Sequence, residues 1–260
     1  MIFSVPYKGN RKLERLVQKM NRNHSLQTYW KCSNVFAMSR MGFSDHGPTH
    51  VKIVANIALR ILRILVKKGV VPNVVKDYNM SNEDAEVVVV LASSLHDIGM
   101  AFTRDAHEEY GVAFAARLID DLLAGEYTEE ERVIIQCEVI HAMLSHHKTH
   151  RPLTIEAGIV RVSDALDMEK GRARIPFASG KVNIHSVSAL SIENVQVMEG
   201  KEKPVEIKIT MSNSAGIFQV DELLRQKVKN SLLEDYLRIV GVISGEREKR
   251  IFKEFEVSEL

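Results

Sequence analysis

The sequence predicts a mainly α protein, a helical bundle over residues 1–175 followed by a small α+β domain over residues 176–260. Three observations carry that expectation. Apolar residues recur at helical spacing, with start and stop signals, as far as residue 169. From Gly171 the pattern changes to short Val/Ile alternations between turn residues. Eight of the ten histidines fall between His46 and His150, inside the helical part.

Residues 11–40 read as one or two amphipathic helices, with Leu13, Leu16, Val17 and Met20 on one face. Gly42 to Pro48 interrupts them. A long helix then runs from Pro48, suited to a first turn, to Lys68, where Gly69 and Pro72 end it. Ser81-Asn-Glu-Asp84 announces the next helix, whose apolar run 87–95 finishes in His96 and Asp97 before Gly99. Ala106 to Ala124 is predicted helical. Thr128 to Glu131 is a capping box for a helix from Glu129 to about Ser145, and Thr154 caps another from Ile155 to about Glu169. The linker GRARIPFASG (171–180) marks the boundary. Beyond it KVNIHSVSAL, ENVQVMEG, PVEIKITMS and LRIVGVIS read as strands, and Gln219 to Tyr236 as a helix.

Composition narrows the function. With 35 basic against 34 acidic residues, net +1, there is no electrostatic footprint for nucleic acid or a membrane surface. No apolar run approaches the roughly 20 residues of a spanning helix, and MIFSVPYKGNRK lacks a signal-peptide core. A cytoplasmic location is therefore expected. Cys32 and Cys137 lie far apart in apolar helical surroundings and read as buried reduced thiols.

His96 and Asp97 are an unusual ending for a core helix, since burying both unpaired would be costly. Four other helices also place imidazoles or carboxylates, mostly near their termini: His46 and His50, His107, His146 and His147, and Asp164. Such nitrogen and oxygen donors suit manganese, iron, cobalt, nickel or zinc, with magnesium also admissible, and the lack of thiolates argues against a structural zinc. Six or seven donors exceed the needs of one catalytic ion. Two divalent ions are therefore expected, with Asp97 as the bridge, roughly 3.5–4 Å apart as in binuclear phosphoryl-transfer sites.

In order, HGPTH, LHDIG, AHEEYG, SHHKTH and IVRVSDALD resemble the HD-domain superfamily of metal-dependent phosphohydrolases over residues 44–169. The resemblance implies an HD-domain helical bundle. It implies metal ligands at His50, His96, Asp97 and Asp164, joined in two-metal members by His107 and His146. His147 completes the double histidine of the HD-GYP branch and is read as a ligand, a hydrogen-bond donor or a substrate contact. KTHRPLT follows in place of that branch's Gly-Tyr-Pro motif, so cyclic di-GMP is not implied. His46 stands where the branch has a glutamate, and its part in the site stays open. His141 is off-phase with His146 and reads as packing, and His24, His150 and His185 as ordinary residues. Asp167 shares part of the Asp164 face and is expected to orient a ligand or a nearby arginine.

The expected activity is hydrolysis of a phosphomonoester or phosphodiester, in a nucleotide, by a metal-activated hydroxide. Asp97 and Lys148 are the catalytic candidates, Lys148 or a protonated histidine assisting the leaving oxygen. Lys148, Arg151 and Arg104 are the phosphate contacts, with Arg172 and Arg174 as further cations. Two rivals remain: an HD-fold di-iron oxygenase, and a non-catalytic metal-containing binding module. Exposed strand edges in the last third make a homodimer a further expectation.

Overall fold

Helix α5 (Asn82–Leu95) runs through the centre, and the other helices are wrapped around it. Val87 through Ala92 are all fully buried, because α1 (Arg11–Arg22), α3 (Pro48–Lys67), α8 (Glu129–Ser145) and α9 (Ile155–Leu166) pack on it from different sides. Four consecutive valines are mediocre helix formers, so this helix exists through tertiary burial rather than propensity. Its start is fixed locally by a Ser81–Asp84 capping box. The computed structural model describes residues 2–171, 184–245 and 254–256. The linker 171–180, with Arg172 and Arg174, falls outside these from residue 172 onward.

The N-terminal expectation is realised as α1, α2 (His24–Asn34) and a π-wound turn, Val35–Arg40. Pro48 does open α3, the short α4 (Asn73–Tyr78) follows it, and Thr128 and Thr154 cap α8 and α9. The predicted helix 106–124 is split. A single turn, α6 (His107–Tyr110), is followed at Gly111 by α7 (Val112–Leu123). A Cβ on Gly99 would lie 1.9 Å from the His107 carbonyl oxygen, so backbone packs on backbone beside this turn. Ala106, at φ +52°, turns the chain into His107 at the start of α6.

In the last third a four-stranded sheet has the order β1-β2-β3-β4, formed by Ile192–Glu199, Val205–Met211, Leu237–Ile243 and Glu254–Glu256. β1 and β2 are antiparallel, β2 and β3 parallel, and β3 and β4 antiparallel. The alternation in β2 puts Val205, Ile207, Ile209 and Met211 inside. β1 lies against α3, and the buried apolar residues of the sheet and the bundle form one continuous cluster.

Three expectations are corrected. The described part of KVNIHSVSAL is a helix, Ile184–Leu190. Its seven residues are too few for periodicity to tell strand from helix, and packing that buries Ser188 rather than Val187 decides it. Gln219 to Tyr236 is not one helix. A π-wound turn, Gln219–Leu224, runs into the short helix Arg225–Val228, after which Asn230 and Leu232 adopt positive φ and reverse the chain. Cys32 and Cys137 are exposed. Cys32 lies two residues past buried Trp30, on the solvent side of α2, where the helical phase puts it.

Candidate metal centre

α3, α5, α6, α8 and α9 bring six of the seven predicted ligands to one buried place. His50 begins α3, His96 and Asp97 leave α5, His107 opens α6, His146 closes α8, and Asp164 lies in the last turn of α9. His50, His96, Asp97, His107 and His146 are buried, and the Asp164 side chain retains 17% exposure.

The proton positions follow from what faces each Nδ1. For His96 and His107 it is a backbone carbonyl, Ser93 at 2.8 Å and Arg104 at 2.9 Å, and for His146 it is the Met143 carbonyl. For His50 it is Oδ2 of Asp167, 2.6 Å away. Each of these oxygens accepts only, so Nδ1 carries the proton and Nε2 presents a lone pair inward. Yet Nε2 of His50 lies 3.1 Å from Nε2 of His96, and Nε2 of His107 lies 3.2 Å from Nε2 of His146. Two lone pairs at that distance repel. A cation between them resolves the conflict.

Asp97 joins the two pairs. Its Oδ2 is 3.2 Å from His50 Nε2 and 3.3 Å from His96 Nε2, while its Oδ1 is 3.2 Å from His107 Nε2 and 3.8 Å from His146 Nε2. Asp164 Oδ1 adds to the first pair, 3.4 Å from His50 and 3.8 Å from His96. Two sets of donors, His50/His96/Asp164 and His96/Asp97/His146, each have their atoms within 4.8 Å of one another. Bonds of about 2.0–2.2 Å put neighbouring donors around one divalent ion about 3 Å apart, which is the spacing here. Asp97 Oδ2 is moreover buried with no hydrogen-bond partner among the described residues. The donor set therefore fits a divalent metal.

The electrostatics agree. Burial would raise the Asp97 carboxyl, but His96 and His46 nearby, with His107 and His50, hold it well below the usual carboxylate range. Burial is likewise outweighed at Asp164 by the Lys227 ammonium and the surrounding imidazoles. Burial, reinforced by His96, pushes His146 well below the usual imidazole value and so keeps it neutral, the form a ligand needs. His107 is raised: its burial is outweighed by Asp97.

The remaining candidates lie outside these two donor sets. His147 is half exposed at its edge, with Nδ1 3.3 Å from Oε1 of Glu108. Lys148 and Arg151 are exposed in the loop that follows, and the Arg104 guanidinium lies over the Phe43 ring at 4.4 Å. The His46 ring packs beside His50, centroids 5.8 Å apart, and its Nδ1 faces the Ser44 carbonyl. His141 accepts the Leu153 amide at Nε2, a packing role. Asp167 orients one of these imidazoles, that of His50.

Three residues were not legible in advance. Glu108 is buried and lies 3.3 Å from His107 Nδ1. Arg161 is buried in α9, its Nη1 donating to the carbonyls of Ser145, His147 and His150, so it moulds the double-histidine loop. Lys227 arrives from the last third of the chain, its Nζ 3.1 Å from Asp164 Oδ2 and donating to the His146 carbonyl. A family-specific pattern could have flagged Arg161, two residues into IVRVSDALD. Nothing in RQKVKN marks Lys227.

Comparison with known proteins agrees with the geometry. The model of the family described as "HD domain" matches residues 48–169, the span from the start of α3 to just past α9. The chain is 43% identical over 242 residues to an uncharacterized protein of Methanocaldococcus jannaschii, 93% of each being covered. No helix among the described residues is long and apolar enough to cross a membrane.

Proposed function

Because this chain belongs to the HD-domain superfamily of metal-dependent phosphohydrolases, we propose that it hydrolyses a phosphomonoester or phosphodiester bond in a nucleotide, with two divalent ions. The observation that carries this reading is the Asp97 carboxylate, whose two oxygens reach two separate pairs of opposed imidazole lone pairs. His50, His96 and Asp164 would hold one ion, His107 and His146 the other, and Asp97 both, with His147 as a further ligand at the edge. Manganese, iron, cobalt, nickel and zinc all suit these donors. When bound, such ions activate water as a nucleophile and neutralise charge on phosphoryl oxygens.

The protein's own groups do the rest. Four Nδ1 protons anchored on carbonyls and Asp167 fix the imidazoles, so little reorganisation accompanies reaction. Glu108 beside His147 Nδ1 leaves His147 Nε2 directed elsewhere. Lys148 Nζ is the group from which the leaving oxygen takes its proton. Lys148, Arg151 and Arg104 meet the phosphate or the nucleotide from the exposed side.

The test is release of phosphate or nucleoside from a panel of nucleotides and simple phosphate esters, supplied in turn with Mn²⁺, Fe²⁺, Co²⁺, Ni²⁺ and Zn²⁺. Turnover that vanishes in Asp97→Asn supports the proposal. Absence of turnover with every metal and ester removes it, and oxygen uptake by the iron-loaded protein would replace it with oxygenase chemistry.

A further inference from the structure

The inner face of the centre is built from acceptors: four imidazole Nε2 lone pairs, the Asp97 carboxylate and Asp164 Oδ1. An anionic oxygen brought there also needs a donor. Lys148, Arg151 and Arg104 are exposed, and no ion pair ties them to these acids among the described residues. One ammonium does reach an acid of the centre, and it comes from outside the span matched by the family model.

We infer that Lys227 is the residue that binds the anionic phosphoryl oxygen at this centre, so that the last third of the chain completes the site. The inference rests on the phosphohydrolase reading and adds a specific substrate contact to it. An ammonium has three N–H donors. Asp164 Oδ2 and the His146 carbonyl take two, and the Lys227 side chain keeps 16% exposure for the third. Asp164 is divided by the same contact: Oδ2 faces the ammonium and Oδ1 faces His50 and His96. Lys227 is thus held at the side of the centre where a ligand atom and solvent meet.

Its placement is built in, not incidental. Buried Leu224, Val228 and Leu233 anchor the segment on either side. Arg161 Nε donates to the Lys227 carbonyl at 3.1 Å while its Nη1 holds the double-histidine loop, so one guanidinium ties the lysine to the ligands. Gly158 of α9 lets the following turn approach, since a Cβ there would lie 1.9 Å from the Ser231 carbonyl oxygen.

The experiment is calorimetric titration of inorganic phosphate into the Mn²⁺-loaded full chain, comparing wild type, Lys227→Met, Lys227→Arg and the exposed neighbour Lys229→Met. Mn²⁺ stoichiometry and melting temperature are recorded for each. Lys227→Met is expected to keep its Mn²⁺ and lose phosphate affinity by about 10- to 100-fold, the loss of one charge-assisted hydrogen bond. Lys227→Arg should recover part of it, and Lys229→Met should match wild type. Phosphate binding by Lys227→Met within about twofold of wild type overturns the inference. So does loss of Mn²⁺ in Lys227→Met, which would make the lysine a prop for Asp164, and so does a wild type that binds no phosphate. Hydrolysis measured separately distinguishes the two claims: turnover with Lys227-independent phosphate binding sinks only this inference, whereas Lys227-dependent binding without turnover sinks only the reaction.

Discussion

Oδ2 of Asp167 stands 2.6 Å from Nδ1 of His50, which precedes it by 117 residues. That contact fixes the tautomer of the imidazole and turns its lone pair toward His96. Asp167→Ala should therefore weaken Mn²⁺ binding by about 10- to 100-fold, as removal of such supporting partners does elsewhere, while circular dichroism stays that of wild type. Calorimetry giving an unchanged Mn²⁺ affinity would show that packing alone orients His50.

Removing metal should cost stability, because the opposed imidazole pairs and the buried Asp97 then face each other without a cation. Mn²⁺ at a hundred times its dissociation constant contributes about 2.7 kcal/mol, or a melting temperature higher by roughly 5–10 °C for a chain of this size. Scanning calorimetry with EDTA and with added Mn²⁺ reads this directly. Equal melting temperatures would contradict the assignment of these residues as ligands.

A second buried acid pair, away from the metal centre, predicts a pH effect. Burial, then the Glu156 and Asp77 charges, push the Glu138 carboxyl up to about 7. The folded protein takes up this proton as pH falls through about 7, while the unfolded chain does so only near its ordinary value of 4.5. Glu138 thus favours folding below 4.5, and that contribution is lost as pH rises through about 7. Glu138→Gln, which stays neutral, should be more stable than wild type at pH 8.5 by about 1–3 kcal/mol, and equal to it near pH 4.5. Urea denaturation giving the same difference at both pH values would show that the carboxylate is not responsible.

Gly158→Ala tests the close approach of the 229–232 turn to α9. The added methyl would meet the Ser231 carbonyl, and overpacking of this kind costs about 1–3 kcal/mol. Backing the turn away also draws Lys227 from Asp164, so a melting temperature lower by several degrees should accompany weaker phosphate binding. A variant as stable as wild type would mean the turn moves without cost.

Much of the cluster is legible because its imidazoles and carboxylates sit at helix ends, where caps, prolines and glycines punctuate the sequence. His50 behind Pro48, His96 and Asp97 before Gly99, and Asp164 after the Thr154 cap are all positions that local signals fix to within a turn. Gly99 was read as a helix stop, and its larger role, admitting the His107 backbone, needed three dimensions. The last third was read less well for a physical reason. Seven residues of IHSVSAL carry too few periods to separate strand from helix, and the reversal at Asn230 and Leu232 depends on what α9 offers at Gly158. Glu108 and Lys227 were invisible because a lone charge reads as solvated until a fold buries it.

The contact between Lys227 and Asp164 spans 63 residues of chain. During synthesis Asp164, the last of the imidazoles and acids of the five helices, leaves the ribosome 63 residues before the lysine that faces it. The metal-ligand set proposed above would thus be complete before the proposed anion contact, which needs the segment around residue 227 to have emerged and docked on α9. On the proposed reading, binding of metal and recognition of substrate would become separate events in the maturation of one molecule.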